Sequence, residues 1–89
     1  HMPPAFLNLD VCHGNITVGS KAIYDFFQKK QPLLSFHGHI HESPELSRVW
    51  KSRIGDTWCI QPGQREEQLV YVICDLDKME FHRFIEPVD

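Results

Sequence analysis

The sequence contains no apolar run approaching the roughly 20 residues that a membrane-spanning helix needs. Its proline-rich start lacks the apolar segment of a secretory leader. Basic residues are not in surplus: 9 Lys and Arg stand against 12 Asp and Glu, a net charge of −3 with neutral histidines. Such a balance supplies no field for nucleic acid or an anionic membrane. Cysteine is sparse and unpatterned. Cys12, Cys59 and Cys74 are odd in number and widely spaced, with no Cys-x-x-Cys. Packing thiols in a reduced, cytoplasmic protein are therefore expected. Repeats and low-complexity tracts are missing as well. What remains is 89 residues of mixed composition, 42% hydrophobic, enough for one domain or part of one. A chain this short buries only about 60–65% of its unfolded surface, so its core is thin. The opening His1-Met2 has the form of a pair left between an affinity tag and a cloned gene.

The breakers organise the rest. Pro3 to Val18 reads as a loop, with Asp, Gly and Asn in "LNLDVCHGN". Ser20 is a good N-cap, and Ala22, Ile23, Phe26 and Phe27 fall on one helical face. Lys29 and Lys30 suit the negative end of a helix, and Pro32 disfavours continuation past Gln31. The spacing predicts a helix over about 20–30. "LLSFH", 33–37, is a short apolar run between Pro32 and Gly38 and predicts a buried strand. Residues 42–55 are polar with Pro44 and Gly55 and predict a long loop, in which Val49 and Trp50 could form a short strand. "DTWCI" predicts a strand stopped by "QPGQ". "QLVYVICDL", 68–76, predicts a long central strand, and "MEFHRFIE" a strand returning from a turn at 75–78. The expected fold class is α/β, one main helix packed on a small sheet of about four strands. A single amphipathic helix leaves one face of such a sheet open. Either two copies associate or the natural protein has more chain upstream.

"SFHGHIHESP" carries three histidines in five positions, His37, His39 and His41. His39 and His41, two apart after a strand, project to one side. Imidazole suits zinc, manganese, iron and nickel, and two of them need further ligands to complete a site. A His-rich surface loop is the bland alternative. Gly38 permits a turn that aims ligands inward. Sites in α/β sheets sit at the carboxyl ends of strands, where this run lies.

"LLSFHGHIHESP" resembles the Gly-His-x-His motif that closes the motif series of calcineurin-like metallophosphoesterases. The surroundings are similar in the same order: "HMPP" resembles His-x-Pro-Pro, followed by "VGSKAIYDFFQKKQP" and then "IGDTWCIQPGQ", where Gln61 stands for the more usual Asn of an Asn-Pro-Gly turn. The resemblance spans most of the chain and implies part of a layered α/β sandwich. It further implies a two-metal centre (Mn, Fe or Zn) acting on a phosphate-ester substrate. His39 matches a ligand of one metal, His41 a ligand of the other, and His1 the histidine before x-Pro-Pro. Two metals clamp a phosphate and generate a hydroxide at neutral pH, and neutral imidazoles leave them strongly Lewis acidic. The family's Asp-x-His, Gly-Asp-x-x-Asp and Gly-Asn-His-Asp/Glu motifs, which supply the bridging carboxylate and the leaving-group acid, are not in this sequence. The expectation is the C-terminal portion of a phosphoesterase, binding metal weakly and inactive alone. Its partner would be a missing N-terminal half or a second copy. The alternative is a scaffold of the same type used for protein association.

Plainer roles are expected elsewhere. His37 reads as a supporting or packing residue, and His13 and His82 as surface histidines. Glu42 reads as a solvated carboxylate, and Trp50, Trp58, Phe26 and Phe27 as core. Asp75 and Asp77 read as turn residues.

Overall fold

Ser20 and Gln31 bracket the one long helix. In a computed structural model, which describes residues 2–87, helix α1 spans Lys21–Lys30. The Ser20 hydroxyl accepts the Ile23 amide at 3.1 Å, filling one of the donors a helix start leaves open. At the other end Gln31 turns left-handed (φ 52°) and its amide donates to the Phe27 carbonyl. Pro32 follows, and the chain enters strand β3, Leu34–Phe36. Ahead of α1 lies a small hairpin, β1 (Val11–Cys12) paired with β2 (Ile16–Thr17). After β3 come a short helix α2, Ser43–Ser47, and strands β4 (Lys51–Ile54) and β5 (Thr57–Ile60). Strands β6 (Gln68–Asp75) and β7 (Glu80–Pro87) close the chain.

The described residues form a small mixed α/β fold with two helices and three separate sheets. The central sheet has the order β3-β5-β4, with β3 parallel and β4 antiparallel to β5. Leu9, Ile54 and Cys59 form its buried core, with Leu7, Tyr24, Phe27 and Val49 packed against them. Burial raises the pKa of the Cys59 thiol, as expected of a packing residue, and all three cysteines are free. No helix among the described residues is long and apolar enough to cross a membrane.

Several expectations are corrected. One sheet of about four strands becomes a three-stranded sheet and two hairpins. The loop predicted over 3–18 contains the β1–β2 hairpin, turned at His13-Gly14-Asn15, where Asn15 donates to the Cys12 carbonyl. The loop predicted over 42–55 contains α2 and β4. Pro44 sits in the first turn of α2, where its missing N–H costs nothing. Strand β3 is not buried throughout: Ser35 is buried, whereas Phe36 is exposed. Strand β6 is not central, since β7 is its only partner among the described residues. Its alternate residues Leu69, Tyr71 and Ile73 pair with Glu86, Phe84 and His82 on one face, and Leu69 and Ile73 are exposed there. The face of α1 is rotated too. Tyr24 and Phe27 pack against the core, Ile23 is half-buried, and Phe26 is exposed.

A buried serine ties the first hairpin to α2. The Ser43 hydroxyl accepts the Val11 amide at 2.9 Å and donates to the Asn8 carbonyl at 3.4 Å. Ser43 is fully buried, so its loss leaves the Val11 N–H without a partner. Ser43→Ala is expected to lower stability by about 1–3 kcal/mol. Lys21→Ala, which breaks an exposed pair with Asp25, should cost less than about 0.5 kcal/mol. Urea denaturation of the two variants checks the contrast, and equal midpoints would contradict it.

Candidate functional site

The loop that leaves β3 is built by alternation of buried and exposed residues. His37 donates its amide to the Ile60 carbonyl at 2.8 Å, extending the parallel ladder by one step. Gly38 then breaks away and its carbonyl accepts the Ile40 amide at 2.7 Å, a tight three-residue turn. His39 sits at its centre with φ 70°, a left-handed conformation that histidine tolerates better than most residues. The Ile40 side chain is buried and anchors the loop, so His39 and His41 on either side of it are both exposed. Ser43 closes the segment by donating its amide to the Ile40 carbonyl at 3.2 Å.

The turn after β5 supports this loop from below. Gln61 is fully buried. Its side-chain amide donates to the Gly38 carbonyl at 2.6 Å, its side-chain carbonyl accepts the Gly63 amide at 3.3 Å, and its own N–H donates to the Trp50 carbonyl at 2.8 Å. Gly63 has φ 74°, and a Cβ there would lie 2.7 Å from the His41 carbonyl and 2.8 Å from the Pro44 ring. Only glycine fits that approach. Gln64 completes the seam by donating to the His41 carbonyl at 3.1 Å. His39 and His41 share, with Gly38 and the 61–64 turn, a cleft of about 350 Å³.

His41 also lines a second cleft, of about 530 Å³, against His13 at the tip of the first hairpin and Glu42, Glu45, Arg65 and Glu66. Two arginines fasten its floor. Glu45 of α2 accepts from Arg65 at 2.9 and 2.7 Å and from Arg83 of β7 at 3.0 Å, and Arg83 also donates to the Pro62 carbonyl at 2.8 Å. The Arg65 guanidinium is the main cause holding the Glu45 carboxyl below its ordinary range. This network was not foreseen from the sequence, because its members lie far apart in the chain.

His37 borders the cleft that His39 and His41 share, but unlike them it is buried, with its ring 5.7 Å from that of Phe27 in α1. Its Nδ1 meets the Met2 carbonyl at 3.1 Å and its Nε2 meets the Ser35 hydroxyl at 2.9 Å. A carbonyl only accepts, so Nδ1 carries the proton and Nε2 accepts from Ser35. His37 is thus a packing histidine. His13 and His82 are exposed, and Glu42 is half-buried. Asp75 is a turn residue, its carboxylate accepting the Asp77 and Lys78 amides. Trp50 and Trp58 are half-buried, the latter packed on Phe81. His1 lies outside the described residues.

His39 and His41 are therefore brought together at one cleft with their imidazoles open. That donor set suits a borderline transition metal. Among the described residues, no three His, Cys, Asp or Glu side chains gather closely enough to hold an ion. The two imidazoles fit as part of a metal site and do not complete one. No protein-family model, curated protein or solved structure matches the chain.

The residue that sequence reasoning undervalued is Gln61. Its signal was a polar residue standing directly between a buried strand and a Pro-Gly turn. Gln61→Leu leaves the Gly38 carbonyl and the Gly63 amide without partners and is expected to cost about 1–3 kcal/mol. It should also move the amide resonances of residues 38–41, and an unchanged spectrum there would contradict the role given to Gln61.

His37 sets a pH dependence. Burial is the main cause lowering its pKa below the ordinary 6.5, opposed by its hydrogen bond to Met2. The unfolded chain therefore binds a proton below pH 6.5 that the folded chain resists, and stability falls as pH drops from 6.5 toward the folded value. The Glu45 window lies lower, since its carboxyl is depressed from an ordinary 4.5. Urea midpoints measured from pH 7 to 5 should decline, with a shallower slope in His37→Gln. Parallel slopes would count against it.

Proposed function

We propose that this chain is the C-terminal portion of a calcineurin-like metallophosphoesterase. In that reading the whole enzyme hydrolyses a phosphate ester at a two-metal centre, to which this chain contributes His39 for one ion and His41 for the other. One observation carries the reading. Gly38-His39-Ile40-His41 leaves the carboxyl end of a parallel strand, Ile40 is buried, and both flanking imidazoles stand open on one cleft. The ordered likeness of "HMPP", "GHIHESP" and "IGDTWCIQPGQ" to the family's motifs supports it.

When bound, such a pair of ions polarises the phosphate ester and generates a nucleophile at neutral pH. The chain's own contribution is positional. Ile40 fixes which way the two rings point, and Gln61 and Gly63 hold the backbone that carries them. The imidazoles add no charge, so the cations keep their full Lewis acidity. His1 would be a further ligand. The bridging carboxylate and the leaving-group acid belong to motifs that these 89 residues do not contain.

The isolated chain is accordingly expected to bind zinc or nickel loosely, with Kd on the order of 0.1 mM or weaker. Calorimetry should show this binding lost in the His39→Ala/His41→Ala double variant. With manganese the chain should give no meaningful hydrolysis of bis-p-nitrophenyl phosphate. Tight one-to-one binding, or turnover abolished by His39→Ala, would mean that the site is complete within this chain and the partial-enzyme reading is wrong.

A further inference from the structure

Strand β3 lies at the edge of its sheet, in the order β3-β5-β4. The Leu33 carbonyl and the His37 amide both bond to β5. Alternation then turns the N–H and C=O groups of Leu34 and Phe36 to the open side. Beside that edge runs a groove of about 390 Å³ between β3 and α1, lined by Met2, Ile23, Phe26, Phe27 and Phe36. Three of the residues lining it are apolar and exposed, Met2 39%, Phe26 55% and Phe36 57%, and Leu33 (61%) immediately precedes the edge strand. Natural edge strands are guarded by shortness, charge, proline or a bulge; β3 has only the first of these, three residues, and Leu34-Ser35-Phe36 carries no charge, proline or bulge.

We propose that this edge and groove form a self-complementary interface that pairs β3 with β3 of a second copy of the chain. The symmetry permits it. An antiparallel pair centred on Ser35 sets Leu34 opposite Phe36 of the other copy. The four outward N–H and C=O pairs then exchange hydrogen bonds about a twofold axis. The area is sufficient for a modest dimer. Taking full side-chain areas near 200 Å², Met2, Phe26, Phe36 and the neighbouring Leu33 together expose about 400 Å² of apolar surface. At about 60–65% apolar area, that implies roughly 600–700 Å² per copy, at the lower bound of specific interfaces. Phe6, Ile16 and Val18 are also exposed, around the first hairpin, and a further apolar surface is the outer face of β6–β7. It is guarded, since Leu69 lies opposite Glu86, Ile73 opposite His82, and Asp75 opposite Glu80. The proposal stands apart from the metal reading, because none of its residues is a candidate ligand.

Sedimentation equilibrium of the 89-residue chain tests it. A reversible monomer–dimer equilibrium is expected, with Kd on the order of 10–100 µM, a range typical of small interfaces. Phe36→Lys, an exposed change at the paired edge, should weaken it at least about tenfold, as a buried unpaired charge does. Leu69→Lys on the guarded face should leave Kd unchanged within about twofold. Far-ultraviolet circular dichroism identifies any variant that fails to fold. Phe26→Glu, on the exposed side of α1, then provides a second disruption of the same groove. A monomer at all concentrations up to about 1 mM, roughly tenfold above the weakest Kd expected here, overturns the proposal. So does a dimer abolished by Leu69→Lys but not by Phe36→Lys. In the monomer case the groove seats a strand from elsewhere, either a segment of a longer protein or a different partner.

Discussion

One buried side-chain amide holds three parts of this molecule in register. Gln61 reaches the Gly38 carbonyl, receives the Gly63 amide, and donates its own N–H to Trp50. The loop after β3, the turn after β5 and the entry to β4 are therefore not independent. A buried amide has donors and an acceptor that each need a partner, and leaving them empty costs more than filling them gains. That asymmetry is what makes the arrangement specific. The His39–His41 loop can sit only where Gly38 presents its carbonyl to Gln61, and Gly63 is the only residue type that lets the turn pass so close to His41.

Around that clamp the charged groups play a secondary part. Glu45 joins α2 to Arg65 and to Arg83 of the last hairpin, and Arg83 reaches on to the Pro62 carbonyl. Glu45 is partly exposed, so each ion pair stabilises little on its own. Their value lies in geometry. The arginines pin the β6–β7 hairpin against the back of the Pro62–Gly63 turn, which is the part of the site that must not move. The backbone of the loop is fixed from beneath while the two rings stay open above it. In the proposed metal reading, that combination of a held backbone and free imidazole nitrogens is what would let the pair receive an ion.

How much of this could be read from the sequence depends on the length scale of the signal. The helix α1 was legible because Ser20, the last-turn lysines and Pro32 act within a few residues of one another. The β6–β7 hairpin was legible from its long runs of β-formers and the Asp75 turn. The Gly-His-x-His segment was legible as a candidate site because its chemistry and its place after a strand are both local. Strands of two residues such as Val11–Cys12 carry no alternation to detect. The helix at Ser43–Ser47 hid behind Pro44, which reads as a breaker but is at home in a first turn. Strand β6 was misplaced because an unbroken apolar run resembles a central strand. Its partition into an inward and an outward face appears only once β7 is seen to be its one described partner. The inward face of α1 was misjudged because Phe26 and Phe27 are equally apolar, and only the position of the sheet decides which of them is buried.

Strand β3 carries two features that are joined through the backbone. Its carboxyl end presents His39 and His41, and its open edge presents Leu34, Phe36 and the apolar groove. Between them stands His37, whose ring links the Ser35 hydroxyl within the strand to the Met2 carbonyl at the groove. The same residue's amide fixes the last rung of the ladder on Ile60, one residue before the turn at Gly38 begins. A strand seated on the edge of β3 would bond Leu34 and Phe36 and cover the groove that Met2 helps to line. It would therefore load the residue immediately before the turn that aims the two imidazoles. The open edge and the turn at Gly38 that aims His39 and His41 are thus separated by a single residue, His37, whose amide holds the end of the ladder and whose ring is held by Ser35 and Met2.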